Sequence, residues 1–280
     1  GQQKPITVIL IDANHCPGAV MFDFEVGGRR ILHVGDFRWN RSLMLEQSLR
    51  LREYSSQRLQ MDELFLDTTY CNTKYEALPS QEAAISACID VVDKEIADSL
   101  KRGNKTLFLF GSYTIGKEKV YISVAEHLRV KVYVEKPKFK ILSALNWPKE
   151  QMRLLTTDKS ETNLWVVPLS HLNFKHMQSY SSASGKVFST GYGHIAGFRP
   201  TGWTFNAKQK SSNDSIVSSC KKGKFSVHGV PYSEHSSFGE LVDCLACLKP
   251  KKIIPTVSVS KSSEQVDILL SAVRQIKLYT

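Results

Sequence analysis

The 280-residue sequence lacks most of the features that mark membrane, disulfide-rich or disordered proteins. Its apolar runs fall well short of the roughly 20 residues that a membrane-spanning helix needs. Its six cysteines are sparse and irregularly spaced, which excludes a disulfide scaffold and favours a reducing compartment. Hydrophobic residues make up 42% of the chain and charged residues 23%, close to globular averages, so disordered, collagen-like and coiled-coil classes are excluded as well.

Acidic residues are in the minority. The 27 Asp and Glu stand against 37 Lys and Arg, which gives a formal net charge of +10. A basic surface favours polyanionic partners, with nucleic acid first and an acidic membrane surface second. Charge by itself leaves an equal alternative open, namely a basic face that is only solvated.

Hydrophobic patterning predicts an α/β protein built from three stretches. The first stretch predicts short strands joined by turns, with a hairpin at Gly27 and Gly28 and a loop over residues 50–60. From Pro79 onward helices alternate with strands, which predicts βαβ units on a largely parallel sheet. Residues 206–224 are rich in Ser, Lys and Asn and predict a linker, after which strands and helices resume.

Four residues with metal-binding side chains each follow a predicted strand: His15, Asp36, Asp67 and His235. In open α/β sheets, ligands bind beyond the carboxyl ends of the strands. Imidazole and carboxylate are the ligands of hydrolytic zinc sites, and a carboxylate such as Asp36 can bridge two metal ions. Each residue also has a simpler interpretation, because an Asp after a strand is often a turn former and a lone His is often a structural polar residue. Spacing alone does not decide between the two.

Two loops have residues suited to a phosphate. Residues 111–119 join a predicted strand to a predicted helix, and their small residues would let backbone N–H groups and Lys117 approach an anion. The segment is not a Walker A loop, and a strand-to-helix turn with solvated lysines is an equal alternative. Residues 198–203 combine a cation, a hydroxyl and an aromatic ring, which also suits a nucleotide.

Seven motifs, taken together and in order, resemble the DNA cross-link repair nucleases of the metallo-β-lactamase/β-CASP superfamily, the group that contains Artemis and Apollo. They are DANHCPGAVM (12–21), HVGDFR (33–38), LDTTYC (66–71), GSYTIGKEK (111–119), FRPTGW (198–203), PYSEHSS (231–237) and KPKKIIPTV (249–257). The resemblance implies a metallo-β-lactamase αββα sandwich, incomplete at the N-terminus, with an inserted α/β β-CASP domain. Residues 1–75 and 213–280 would form the lactamase part and residues 76–212 the cassette.

The resemblance also implies roles for individual residues. His15, Asp36 and His235 would bind one or two zinc ions, with Asp36 bridging, and Asp67 would be an acidic catalytic residue near the metal. Ser112, Lys117, Thr201 and Gly202 lie in segments that resemble a pocket for a terminal 5′-phosphate. Val257 stands where the DNA-acting branch has Val and the RNA-processing branch has His.

One family signature, H-x-H-x-D-H, is absent from the sequence. It supplies most ligands of the first metal and would precede residue 12. Residue 1 is Gly, and an apolar run begins at Ile6, so we expect an N-terminally truncated piece of a longer protein that by itself binds zinc poorly and hydrolyses little.

The resemblance therefore implies a nuclear, zinc-dependent DNA nuclease, and the sequence has no membrane segment. By the same resemblance it would be a 5′-to-3′ exonuclease in cross-link or double-strand break repair that acts on 5′-phosphorylated single- or double-stranded ends. Two alternatives stay open: a catalytically inactive DNA-binding scaffold of the same fold, and, with less support because of Val257, an RNA-processing β-CASP nuclease.

Overall fold

Residues 6–187, 191–205 and 216–279 are described by a computed structural model. They form two units, residues 1–78 with 234–280, and residues 79–233. The second division falls after residue 233, whereas the resemblance implied that the cassette ends at residue 212. The second unit continues to residue 233 because the strands at Ser218–Lys222 and Phe225–Val230 belong to its sheet. The first boundary lies at residue 78 instead of 75.

The first unit is built on one five-stranded sheet. Its order is β1-β2-β3-β4-β12, and β2 runs antiparallel to β1 and β3 whereas β3, β4 and β12 are parallel. The predicted hairpin at Gly27 and Gly28 is confirmed, since it joins β2 to β3. The strands are β1 (Thr7–Asp12), β2 (Val20–Val26), β3 (Arg29–His33), β4 (Glu63–Leu66) and β12 (Lys252–Pro255).

Four helices cover one face of this sheet, and their apolar residues form a single core with the inward-facing strand residues. The loop predicted over residues 50–60 is wrong in its first half. A helix begins at Leu49 because the Ser48 hydroxyl accepts a hydrogen bond from the Leu51 N–H at 3.3 Å, and the helix buries Leu51 and Tyr54. The helices are α1 (Arg41–Gln47), α2 (Leu49–Ser55), α8 (Phe238–Leu248) and α9 (Ser262–Tyr279).

The opposite face of the same sheet exposes apolar side chains. Val8 is 46%, Leu10 60% and Phe22 39% exposed, and the ring of Phe22 stacks on that of Phe24. Side chains alternate along a strand, so these residues share the face that the four helices leave open. This is the face on which a second sheet packs in a β-sandwich.

The second unit is built on a seven-stranded sheet of order β10-β11-β9-β5-β8-β6-β7. All its strand pairs are parallel except β10 with β11, which confirms the predicted parallel sheet. Of the linker predicted at 206–224, residues 206–215 lie outside the described residues and the rest includes β10. The strands are β5 (Thr106–Ser112), β6 (Val132–Tyr133), β7 (Leu155–Thr156), β8 (Leu164–Pro168), β9 (His194–Pro200), β10 (Ser218–Lys222) and β11 (Phe225–Val230).

Helices cover both faces of this sheet, as a central parallel strand requires. All seven residues of β5 are buried, and its alternate side chains enter two separate apolar cores. None of the helices in the described ranges is long and apolar enough to cross a membrane. The helices of this unit are α3 (Gln81–Lys101), α4 (Glu118–Leu128), α5 (Lys136–Ser143), α6 (Lys149–Arg153) and α7 (Phe174–Val187).

A buried ionic cluster ties α3 to the strands of the second unit. The Glu95 carboxylate lies 2.8 Å from Nε2 of His194, 3.3 Å from Nε2 of His228 and 2.9 Å from Nζ of Lys221. Burial alone would raise the pKa of Glu95, but the hydrogen bonds from these three partners outweigh burial and hold it far below its ordinary value. The cluster therefore stabilises the folded unit while Glu95 is ionised.

We expect Glu95→Gln to lower the free energy of unfolding by about 2–3 kcal/mol at pH 7, because a buried, hydrogen-bonded charge is removed. A carboxyl whose pKa is depressed by folding stabilises fully above its unfolded pKa, and this contribution is lost as the pH falls below that value. The loss of unfolding free energy caused by Glu95→Gln should be about 1.4 kcal/mol smaller at pH 3.5 than at pH 7, because pH 3.5 is one unit below the ordinary pKa of 4.5 for this glutamate.

Denaturant unfolding at both pH values checks this expectation. The control is Asp93→Asn on the same helix, where the carboxylate pairs with His127 at the surface and should contribute less than about 1 kcal/mol. A Glu95→Gln deficit that is equal at the two pH values would contradict the assignment.

Candidate metal centre and phosphate site

Three of the four predicted metal-site residues follow strands of the first sheet that point the same way. Because β1, β3 and β4 are mutually parallel, their carboxyl ends meet at one edge. His15, Asp36 and Asp67 follow these ends. From the sequence, His235 is expected just beyond the strand at Phe225–Val230. That strand belongs to the second sheet, whereas His235 belongs to the first unit, just before α8.

A compact turn after β1 presents His15. Asn14 has a left-handed backbone conformation (φ 50°), its N–H donates to the Asp12 carboxylate at 2.7 Å, and its side-chain amide donates to the Arg38 carbonyl at 3.0 Å. The Ala13 N–H donates to the Ala19 carbonyl at 3.1 Å and closes the turn. Asn adopts a left-handed backbone conformation more readily than most residues, so Asn14 suits the position in the turn directly before His15.

Asp36 projects into solvent from the turn after β3. Its side chain is 62% exposed. Gly35 precedes it with φ +59°, a backbone conformation that residues with a side chain rarely adopt, so the turn favours glycine. His33, the last residue of β3, accepts a hydrogen bond from the Gly35 N–H at 3.1 Å and stacks on Phe65.

The segment with His235 is joined to the segment after Asp36 by several hydrogen bonds. The Ser236 N–H donates to the Phe37 carbonyl at 3.0 Å, and the Trp39 N–H donates to the Ser236 hydroxyl at 2.9 Å. The buried Arg38 pairs with Glu240 at 3.0 Å, and Glu240 also completes the capping box that begins α8. These bonds hold His235 against the ends of β3 and β4.

His15, Asp36 and His235 offer three metal-ligand atoms within 4.8 Å of one another. Nδ1 of His15 lies 2.8 Å from the Glu234 carbonyl oxygen, which only accepts hydrogen bonds, so Nδ1 carries the proton. The unprotonated Nε2 of His15 is then available, 4.0 Å from a carboxylate oxygen of Asp36. Two imidazole nitrogens and a carboxylate oxygen are a donor set that fits a hydrolytic divalent metal.

Asp67 lies behind His235 rather than among the three clustered ligand atoms. Its carboxylate is buried and accepts from Nδ1 of His235 at 2.7 Å and from the hydroxyl and N–H of Thr69. Burial alone would raise the pKa of Asp67, but the bonds from His235 and Thr69 keep it below its ordinary value. The ionised carboxylate thus fixes the proton of His235 on Nδ1, so that Nε2 is the unprotonated nitrogen, as in histidines that are oriented to bind metal.

Val257 lies on the same edge of the first unit. It lies two residues after the end of β12, and the Thr68 hydroxyl donates to its carbonyl oxygen at 2.9 Å. This bond joins Val257, which the resemblance implies separates the DNA-acting from the RNA-processing branch, to the residue that follows Asp67.

The four residues of the predicted phosphate pocket all belong to the second unit. Ser112 ends β5, and Thr201 and Gly202 follow β9, its parallel neighbour, so they share one sheet edge. Lys117 is buried, has φ 70° at the start of α4, and places Nζ 5.4 Å from the ring centre of Tyr232. The Thr201 hydroxyl accepts from the Trp203 N–H at 3.4 Å and caps a 3₁₀ turn that contains the buried Gly202.

Sequence reasoning missed several supporting groups. The Glu234 carbonyl that orients His15 is a backbone atom and has no sequence signature. Lys138 donates to Ser112 Oγ at 3.0 Å and to Glu118 at 2.9 Å, and Glu118 accepts from the Gly116 N–H at 2.7 Å. The Glu118 carboxylate at the first turn of α4 was a detectable signal, whereas Lys138 was hidden among the other lysines of α5.

Comparison with known proteins finds a family model that matches part of the chain. Residues 149–261 match the family described as DNA repair metallo-beta-lactamase. This part of the chain belongs to the DNA repair metallo-beta-lactamase family. The resemblance found in the seven motifs is confirmed, and the DNA repair metallo-beta-lactamase family implies divalent-metal binding, which the donor set of His15, Asp36 and His235 fits.

Curated relatives extend the similarity over most of the chain. The DNA cross-link repair protein SNM1 of Arabidopsis thaliana is 39% identical over 254 residues, 90% of this chain and 49% of the relative. The DNA cross-link repair 1A protein of Homo sapiens is 41% identical over 255 residues, 91% of this chain and 23% of the relative. The 5′ exonuclease Apollo of Gallus gallus is 28% identical over 91% of this chain and 46% of the relative. The chain thus spans about half or less of the length of these relatives.

A solved structure supports the fold alone. A protein of unknown function from Enterococcus faecalis V583 superposes with a TM-score of 0.55 over 93% of this chain and 60% of that protein, at 14% identity.

We expect Asp67→Asn to weaken zinc binding roughly 10- to 100-fold, because the neutral amide no longer fixes the proton of His235 on Nδ1. Calorimetric titration of the metal-free chain with Zn²⁺ measures the dissociation constant. Asp267→Asn removes an exposed carboxylate on α9 and should leave the affinity unchanged. A folded Asp67→Asn variant with wild-type affinity would show that Asp67 does not orient the ligand.

Proposed function

We propose that the protein is a metal-dependent DNA nuclease of cross-link or double-strand break repair that degrades DNA from 5′-phosphorylated ends in the 5′-to-3′ direction. One observation carries the proposal: His15, Asp36 and His235 bring their ligand atoms within 4.8 Å in a chain that matches a DNA repair metallo-beta-lactamase family. The net charge of +10 supports a polyanionic substrate. Action on chromosomal DNA places the protein in the nucleus.

We assign the metal ligands to His15, Asp36 and His235, with zinc as the metal. Bound there, a divalent cation supplies Lewis acidity and lowers the pKa of a coordinated water, which is the chemistry of phosphodiester hydrolysis. Asp67 keeps Nε2 of His235 unprotonated, and the Glu234 carbonyl does the same for His15. The exposed Asp36 carboxylate is free to turn toward one cation or to bridge two.

The 5′-phosphate specificity rests on the second unit. Lys117 supplies a cation, Ser112 and Thr201 supply hydroxyl groups, and Gly202 lets the backbone come close, all at one edge of the sheet. A terminal phosphate carries more negative charge than an internal one, so a positively charged pocket favours phosphorylated ends.

A second candidate function is a catalytically inactive DNA-binding scaffold of the same fold, and the net charge of +10 favours it equally. Such a scaffold would bind DNA in a salt-dependent manner and would hydrolyse none of it.

The test is a single-turnover digestion with the chain in excess over a single-stranded DNA labelled at its 3′ end, in Zn²⁺ and Mg²⁺. We expect metal-dependent shortening from the 5′ end, about tenfold faster for a 5′-phosphate than for a 5′-hydroxyl. His235→Ala should abolish cleavage without unfolding the chain, and Lys117→Met should remove the preference for the phosphate while the slow cleavage of hydroxyl ends remains.

Lys175→Met is the matched control, since this exposed lysine of α7 is remote in sequence from the pocket segments. Salt-dependent DNA binding without cleavage at any metal concentration would replace the nuclease by the scaffold. Faster cleavage of RNA than of DNA of the same sequence would indicate the RNA-processing branch, and full activity of His235→Ala would refute the site assignment.

A further inference from the structure

The second unit contains a cavity of about 460 Å³ that shares only Ser112 with the proposed phosphate pocket. It opens beyond the carboxyl ends of β5 and β8, which are neighbouring parallel strands. Cavities of 300–1,000 Å³ are typical of small-molecule sites. We propose that this cavity binds a nucleobase of the DNA strand whose 5′-phosphate the adjacent residues hold, an inference that rests on the proposed function.

The position of the cavity supports a binding role. From β5 the chain passes through α4 to β6, on the side of the sheet that contains β8. From β8 it passes through α7 to β9, on the other side of β5. The connections of two adjacent strands therefore leave in opposite directions, and the crevice between them is where open α/β sheets bind ligands.

The charges around the cavity argue against a second phosphate. The only lysine among the residues that line it is Lys138, and its ammonium donates to Ser112 Oγ at 3.0 Å, to the carbonyls of Tyr113 and Thr114 at 3.0 and 3.3 Å, and to Glu118 at 2.9 Å. Its three protons are thus fully used. The carboxylate of Glu135, at the rim, would repel an anion.

The remaining lining suits a neutral ring with N–H groups at its edge. Pro137, Ile141, Val167 and Leu169 provide apolar contact for the faces of a ring. The Glu135 carboxylate, together with the hydroxyls of Thr114 and Ser170, provides acceptors for amino and imino groups. Nucleobases have this combination of apolar faces and donor edges, and base contacts with such surfaces tolerate different sequences.

The cavity also shares a strand end with the phosphate pocket. Ser112 lines the cavity and belongs to the predicted phosphate pocket, because β5 lies between β8 and β9. A strand held by its terminal phosphate at β5 and β9 therefore has a place for a nearby base at β5 and β8. One of the first few nucleotides is within reach of this place.

The test measures binding in EDTA, so that hydrolysis plays no part. The probes are 5′-phosphorylated single-stranded octamers with a 3′ fluorophore, in which the first, second or third nucleotide is replaced one at a time by an abasic analogue. Anisotropy titrations of the 280-residue chain give the dissociation constants. We expect one of the three replacements to weaken binding about tenfold.

Variants assign that effect to the cavity. Ile141→Trp fills it from α5, and Ser170→Trp narrows it from the exposed segment after β8, which tolerates substitution. Both should bind the intact and the abasic octamers equally, whereas Ser143→Trp, on the opposite side of α5, should behave like the wild type.

The outcomes separate the two proposals. Equal binding of all octamers to the wild-type chain, or an unchanged base effect in both cavity variants, overturns the nucleobase inference and leaves the nuclease proposal standing. Failure of the chain to bind any octamer overturns the proposed DNA substrate itself.

Discussion

The hydrogen bond between Asp67 and His235 is the contact on which the proposed metal centre depends. It joins residues 168 positions apart, because the whole second unit is inserted between them. The three proposed ligands come from two separate parts of the sequence, and this bond is one of several that set their relative position. The Ser236 contacts to Phe37 and Trp39 reinforce it. Because Asp67 is buried and ionised, the bond determines both where His235 lies and which of its two ring nitrogens carries the proton.

Both candidate sites obey the same rule of α/β architecture, since each lies beyond the carboxyl ends of parallel strands. The first sheet uses the ends of β1, β3 and β4 to present nitrogen and oxygen ligands. The second uses the ends of β5, β8 and β9 to present a lysine, hydroxyls and a mostly apolar cavity. The chemical contrast between the edges agrees with the proposed function, in which one unit would supply hydrolysis and the other would recognise the end of the strand.

Much of this arrangement was predictable from the sequence, because residues that bind metal stand next to turns with recognisable Gly, Asn and Pro. His15, Asp36 and His235 were found this way, and the structure clusters their ligand atoms. The predictions that were wrong rested on local sequence patterns, which contain no information about tertiary contacts. The helix at Leu49–Ser55 has a polar face, and its sequence therefore predicts a loop. The edge strand β10, at Ser218–Lys222, is polar, and its sequence therefore predicts a linker. The role of Lys138 depends on partners 20 to 26 residues away, so no local pattern reveals it.

The most direct measurement of the central claim is zinc K-edge X-ray absorption of the chain loaded with one equivalent of Zn²⁺. The account predicts a shell of nitrogen and oxygen only, at about 2.0–2.2 Å, with the outer scattering of two imidazoles that falls to one in His235→Ala. Cys16 is next to His15 in sequence and Cys71 lies four residues after Asp67, so a misplaced metal would find sulfur nearby. A zinc–sulfur distance of about 2.3 Å, or an imidazole count that His235→Ala does not change, would contradict the account.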